Sequence, residues 1–138
     1  MDSKLKAAII TLVVGIPAFI LSPILWPPSP DIKPTEAQLP FFIFLSFVEA
    51  LFFGAGIAFI SYTWPIVSKM AGKEKPKAMQ SFLAISWLLV SWWPHDNFHI
   101  HNGMDAQGLL YIDYAFHMTL ILAGAVLAYN FYRMTKAK

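Results

Sequence analysis

The sequence contains no cysteine, which excludes disulfide bonds, cysteine-ligated zinc modules, iron–sulfur clusters and thiolate-ligated copper. Charged residues are also scarce, at 13% of 138 residues, whereas soluble domains carry about 25%. There is no basic stripe or nucleic-acid motif, so nucleic acid is not an expected partner. Phosphate loops, nucleophile elbows and nucleotide fingerprints are absent too, which argues against the common soluble enzyme classes.

Long apolar stretches are abundant, and 57% of the residues are hydrophobic. About 20 apolar residues are needed to cross the hydrocarbon core of a bilayer as a helix. The sequence predicts four such spans in a single domain, residues 1–138, at approximately 7–26, 39–67, 76–93 and 108–132. The expected fold class is therefore an all-α polytopic membrane protein with four transmembrane helices.

The distribution of lysine and arginine predicts the orientation of these spans. Nine of the ten basic residues lie in the N-terminus, the second connection and the C-terminus, and only Lys33 lies elsewhere. Basic residues accumulate on the cytoplasmic side of membranes, so both termini are expected inside the cell. The proline-rich connection at 27–38 and the third connection at 94–107 then face outward, and the cell membrane is the expected location.

All four histidines lie between residues 92 and 117, and three of them fall in the predicted outward loop 94–107. If a short helix restarts at Pro94, His95 and His99 share a face at spacing i and i+4. If the segment is extended, His99 and His101 point the same way instead. Imidazole groups bind copper and zinc well, so His95, His99 and His101 are candidate ligands for either metal. The alternative is a polar surface loop beside interfacial tryptophans.

Asp113 and His117 form a second candidate pair, on the fourth predicted span. Their i, i+4 spacing places both side chains on one helix face, which also carries Gly124. They can act as metal co-ligands, or Asp113 can orient His117 for a metal. The alternative is a hydrogen-bonded pair that only joins helices.

Glu49 and Asp96 are candidate buried polar or proton-handling groups. Glu49 lies ten residues into the second span, or about 15 Å along a helix that rises 1.5 Å per residue, and His117 lies nine residues into the fourth. A charge at this depth costs at least ~2.5–3.5 kcal/mol and needs a partner or a proton. We therefore expect Glu49 and His117 to approach one another, directly or through a metal or water. The alternative is a neutral Glu49 bonded to the backbone or to a serine.

Small residues at spacing of four predict close helix contacts. On the second span these residues are Ala50, Gly54 and Ala58, and on the fourth they are Gly124 and Ala128.

The Asp113-x3-His117 motif resembles part of the copper site in the C subunit of copper membrane monooxygenases, which oxidise ammonia or methane. The resemblance covers two residues, and this chain lacks a further helical histidine about twelve residues later. It implies at most a companion subunit of such a complex.

The residues favour a small integral membrane protein with an outward-facing His/Asp site for copper or zinc, acting as an accessory subunit rather than as a self-sufficient enzyme. Its expected partners are the lipid bilayer and either other membrane subunits or further copies of itself. A membrane cytochrome is one alternative, in which two histidines such as His99 and His117 ligate a haem. A structural subunit without metal is another.

Overall fold

The computed structural model describes residues 2–71 and 74–136, and this part of the chain is helical with no strand. The helices are α1 (Ser3–Leu25), α2 (Leu39–Ala71), α3 (Lys75–Val90), α4 (Trp92–Asn102), α5 (Ala106–Ile112) and α6 (Met118–Lys136), with a π-helical turn (Asp113–His117) between the last two. The all-α class predicted from the sequence is confirmed. Three helical segments are long and apolar enough to cross a membrane: α1, α2, and the continuous segment from α5 through α6.

The third predicted span differs from the other three. Helix α3 has 16 residues, fewer than the about 20 that a full crossing needs. Pro76 lies at its start, where the missing N–H of proline has no helical partner to lose. Helices α2 and α6 continue beyond the spans predicted at 39–67 and 108–132, since α2 passes through Pro65 to Ala71 and α6 extends to Lys136.

Helices α1 and α2 form an antiparallel pair with close backbone contact. Gly15 lies against the backbone of Ala50, and Gly54 lies against the backbone of Thr11. Ala50 and Ala58, on either side of Gly54, are 0% and 3% exposed. The small-residue ridge predicted on α2 is thus a helix contact, and Gly15 is its partner on α1.

The remaining long helices continue the up-and-down arrangement. Gly56 of α2 lies against Leu89 and Val90, near the end of α3, which makes these two helices antiparallel. At the other side of α3, Trp87 bonds Thr119 and Ser81 bonds Asn130, so α3 and α6 are antiparallel as well. The start of α1, the end of α2, the start of α3 and the end of α6 therefore lie at one end of the bundle, and α4 lies at the other.

The segment 94–107, predicted to be a loop, is mostly a helix. Helix α4 includes Pro94 in its first turn, where proline is tolerated, and it ends at Gly103, whose φ of 58° suits a residue without a side chain. Asp105 then caps α5 by accepting a hydrogen bond from the Gly108 N–H at 2.6 Å. The turn signal at Asn102 and Gly103 therefore ends a helix rather than dividing a loop.

The proline-rich connection between α1 and α2 holds the end of α4 in place. The Ser29 N–H donates to the carbonyl of Ile100 at 2.9 Å, and the Met104 N–H donates to Asp31 at 2.9 Å. The Ser29 hydroxyl also donates to Asp31. The hydrogen bonds from the Ser29 hydroxyl and from the Met104 N–H lower the pKa of Asp31 below its ordinary value, because they favour the carboxylate.

Candidate metal centre

The structure brings three of the four histidines together. His95 and His99 lie one turn apart on the same face of α4, and His117 ends the π-helical turn that precedes α6. In this turn the Met118 N–H donates to the carbonyl of Asp113, five residues earlier, so the helix carries one extra residue per turn here. Such π-helical turns occur frequently at functional sites.

The three imidazole rings meet at their Nε2 atoms. Nε2 of His95 lies 2.8 Å from Nε2 of His117 and 3.2 Å from Nε2 of His99. One ligand atom from each of the three histidines lies within 4.8 Å of the other two. Zinc–imidazole bonds of about 2.0–2.1 Å in a tetrahedral site place two ligand nitrogens about 3.3 Å apart. In this His95–His99–His117 cluster the two Nε2 distances from His95 lie within about half an ångström of this spacing, and His99 and His117 lie close enough to share one ion with it.

Carboxylates stand behind two of these rings. Oδ1 of Asp113 lies 2.6 Å from Nδ1 of His117 and accepts its hydrogen bond. Oδ1 of Asp96 lies 2.5 Å from Nδ1 of His95, although the direction of this contact does not meet hydrogen-bond geometry. Adjacent residues of a helix do not face each other, which accounts for the oblique approach of Asp96. A carboxylate behind a histidine is the usual support of a metal-binding imidazole.

The Asp113 carboxylate fixes which ring nitrogen of His117 carries the proton. The Nδ1–H of His117 is held by Asp113, so Nε2 of the neutral ring presents a lone pair. Because Nδ1 of His95 makes no hydrogen bond to any described residue, Nε2 of His95 is free to carry a proton and donate it to Nε2 of His117 at 2.8 Å. A metal ion would replace that proton between the two nitrogens.

The burial of the cluster is uneven. The side chain of His95 is 9% exposed, whereas those of His117 and Asp113 are 42% and 59% exposed. Burial lowers the pKa of His95 below its ordinary value. The neighbouring imidazoles of His99 and His117 lower it further, and the Asp96 carboxylate opposes them. A low imidazole pKa favours the neutral form, which is the form that binds metal. The cluster has a buried inner ligand and a side that opens to the outside of the bundle.

Aromatic side chains surround the buried half of the cluster. Phe116 lies with its ring centre 5.5 Å from that of His95, and Trp87 stacks on Phe116 at 6.0 Å. Beyond them, the Trp93 indole donates to the Ser22 hydroxyl at 2.8 Å, which joins α4 to α1. This apolar shell restricts water and fixes the position of α4. Sequence reasoning missed Ser22, because its spacing from Trp93 gives no local signal.

Glu49 has a different partner from the one expected. Its carboxyl group lies beside Asp96 of α4, and the two carboxyl groups line the same cavity. Asp96 in turn contacts His95, which contacts His117. Asp96 and His95 thus lie between Glu49 and His117, and the expected approach of these two residues, directly or through a metal or water, stays a prediction. The rotation of α4 accounts for the observed order, because it places Asp96 between the two.

His101 lies outside the cluster. Its Nδ1 is 2.8 Å from the carbonyl oxygen of Pro27, and its side chain is exposed. Since α4 is helical, His101 cannot share the face of His99 as it would in an extended segment. Of the five predicted metal ligands, the structure groups His95, His99 and His117, places Asp113 behind His117, and directs His101 toward the proline-rich connection.

Comparison with known proteins adds no identity to this site: no family model, curated protein or solved structure matches the chain.

Proposed function

We propose that this protein is a membrane-embedded metal-binding subunit that holds one copper or zinc ion with His95, His99 and His117. The observation that carries the proposal is the meeting of three Nε2 atoms, with carboxylates behind two of the rings. A purely structural histidine cluster needs no such carboxylate support on the far nitrogens.

The ligand set favours copper or zinc because it consists of imidazoles without thiolates. Three protein ligands leave a coordination position open, as in catalytic zinc sites, whereas structural zinc sites are closed by four. The open position lies toward the exposed side of His117. The ion can therefore accept a further ligand from a partner or a small molecule.

We further propose a four-span arrangement in the cell membrane, with α3 and its continuation to Trp93 as the third span. Both termini and the α2–α3 connection are then cytoplasmic, and the metal centre faces outward. The antiparallel order of α1, α2, α3 and α6 supports this arrangement, since it places the most basic segments at one end.

Exposure of Asp113 and His117 supports a role within a larger complex. These polar side chains lie on the outer surface of a helix that is apolar enough to span, and polar groups are costly against lipid. A neighbouring subunit, or a further copy of the chain, would cover them. The chain then acts as an accessory subunit.

The geometry favours a bare ion over a haem. Axial histidines lie on opposite faces of a porphyrin, whereas the rings of His99 and His117 lie side by side, 28° from parallel with centres 5.5 Å apart. His95 also lies between them and contacts both. The resemblance to copper membrane monooxygenases still depends on Asp113 and His117. Here Asp113 holds Nδ1 of His117, which is an orienting role.

Metal content tests the proposal. The protein is purified in mild detergent, and its copper and zinc contents are measured by elemental mass spectrometry. We expect about one ion per chain, and we expect His95→Ala, His99→Ala and His117→Ala each to lose most of it. His101→Ala is the matched control, because His101 belongs to the same helix and lies outside the cluster, so its metal content should equal that of the wild type.

An unchanged metal content in the variant with all three histidines replaced would contradict the proposal and favour a structural subunit. A visible absorption band of haem in the wild type, lost in the same variants, would favour a cytochrome instead. Helical content measured by circular dichroism distinguishes loss of metal from loss of fold.

A further inference from the structure

A long groove runs between α3 and α6, away from the metal centre. Its volume is about 840 Å³, and its walls are apolar side chains such as Leu83, Leu122 and Val126. Leu83 and Leu122 are 57% and 64% exposed. The groove is therefore open along the outer surface of the bundle, at membrane depth.

Small residues create the groove, and a polar contact joins the two helices near each of its ends. Ala84 of α3 and Ala123 of α6 form its floor, and they are 5% and 7% exposed. At one end the Trp87 indole donates to Thr119 at 2.9 Å. At the other end Asn130 donates to the Ser81 hydroxyl at 3.0 Å. The two helices are thus joined at both ends and separated by alanine side chains between them.

The groove continues into a basic cavity at the end of the bundle that holds the termini. This second cavity, of about 430 Å³, includes Lys77, Arg133 and Glu74 in its lining, and Asn130 lines both cavities. Lys77 lies 2.5 Å from Glu74, and Arg133 adds a second cation. The cavity carries net positive charge next to an apolar groove, which complements an anionic head with an apolar tail.

The length of the groove matches one membrane leaflet. The groove is lined from Gln80 to Trp87 on α3, a rise of about 11 Å, and from Thr119 to Asn130 on α6, a rise of about 17 Å, at 1.5 Å per residue. Half of a hydrocarbon core of about 30 Å is about 15 Å. We propose that the groove binds an acyl chain of an anionic phospholipid, whose phosphate lies beside Arg133 and Lys77.

Charge complementarity favours a phospholipid over a second protein helix. A transmembrane helix from a second copy would present an apolar surface to Leu83 and Leu122 and would leave Arg133 without a counter-ion. The anionic head of a lipid satisfies both parts of the site. Basic side chains next to a membrane contribute about fivefold each to the affinity for anionic lipids.

Native mass spectrometry tests this site. The full chain is placed in nanodiscs that contain equal amounts of phosphatidylglycerol and phosphatidylcholine, and retained lipid is counted after release into detergent. We expect one phosphatidylglycerol per chain to be retained in preference to phosphatidylcholine. Ala125→Trp should remove it, because Ala125 lines the groove. Ala128→Trp, an exposed position three residues further along α6, should leave it bound.

The head-group site has its own pair of variants. Arg133→Gln should weaken retention of phosphatidylglycerol about fivefold, whereas Lys136→Gln, at the same end of α6, should change it less than twofold. Equal retention of the two lipids, or unchanged retention in Ala125→Trp, would overturn the proposal. A dimeric mass that Ala125→Trp converts to a monomer would also overturn it, because a second copy would then occupy the groove.

Discussion

The two halves of this bundle are held together by different means. Helices α1 and α2 meet through backbone, at Gly15 and Gly54, and no side-chain hydrogen bond joins these two helices within their described residues. Helices α3 and α4 meet the α5–α6 segment through polar side chains instead, in the pairs Trp87–Thr119, Ser81–Asn130 and His95–His117.

The close contact of α1 and α2 suits a scaffold, whereas the polar contacts of the other helices leave room for a site. Lipid provides no hydrophobic drive between helices, so close packing of small residues is one of the few means to hold α1 against α2. Such a contact leaves no room for a ligand. The polar half is joined at discrete points with space between them, and it contains both the histidine cluster and the α3–α6 groove. The close Gly15–Gly54 contact is thus separate from the histidine cluster and from the groove.

The largest expected effect comes from filling the glycine contact. In Gly54→Leu the new Cβ would lie against the Thr11 carbonyl oxygen and 2.9 Å from the Gly15 nitrogen, so backbone must move. We expect a loss of about 3 kcal/mol or more in the free energy of unfolding, at the upper end for overpacking. Titration with a denaturing detergent, followed by circular dichroism, measures it.

Gly124→Leu is the matched control for this change. Nothing lies within 4 Å of a Cβ at Gly124, so the same substitution should alter stability by less than about 0.5 kcal/mol. Equal losses in both variants would mean that the contrast between the two helix pairs is wrong, and that Gly124 is covered by a neighbour.

The next effect concerns the polar half. Asp113→Asn removes the negative charge behind His117 but keeps an acceptor oxygen, and such supporting changes lower metal affinity about 10- to 100-fold. Asp105→Asn makes the same chemical change at the cap of α5, where asparagine caps equally well, and should leave affinity unaltered. Competition with a calibrated chelator measures both variants. Identical affinities would reduce Asp113 to a packing role.

The sequence predicted the scaffold better than the site. Spacing of four along a helix identified Ala50, Gly54 and Ala58 as a contact surface, because each helix turn repeats the same geometry. The same spacing at Gly124 and Ala128 was misleading, since both residues are exposed and nothing in the described part of the chain lies within 4 Å of a Cβ at Gly124. Helical spacing also predicted the contact between Asp113 and His117, although it gave no sign of the π-helical turn between them. These are local features, which depend on residues only a few positions apart.

The partners of Glu49 and His101 depend on longer-range structure. Two arrangements of the segment after Pro94 were open, and each placed a different pair of histidines together. Only the docking of α4 against α1 and the proline-rich connection selects the helix, through contacts such as Trp93 with Ser22. The same docking places Asp96, rather than His117, beside Glu49. Such long-range contacts leave no periodic trace in one sequence.

The smallest effect tests whether single hydrogen bonds hold the polar half. Thr119 donates its hydroxyl to the Ala115 carbonyl at 2.7 Å and accepts from the Trp87 indole at 2.9 Å, so it joins α6 to α3 directly. Trp87→Phe and Thr119→Val each remove one partner. In membranes the coupling energy of such pairs averages about 0.6 kcal/mol, with a maximum near 1.7. We expect a double-mutant cycle to give a value in this range.

Phe19 and Phe47 provide the corresponding cycle in the other half, since their rings meet edge to face at 5.5 Å between α1 and α2. Aromatic pairs contribute about 0.5–1.5 kcal/mol beyond their buried area. A double-mutant cycle of Phe19→Leu and Phe47→Leu should therefore give a coupling energy of similar size, although no hydrogen bond joins these two side chains. The sharper distinction lies in metal content: the Trp87–Thr119 cycle should alter it, because Trp87 stacks on Phe116 beside His95, whereas the phenylalanine cycle should not. Equal metal content in all four single variants would show that the cluster is positioned without the Trp87–Thr119 contact, and that this contact serves only stability.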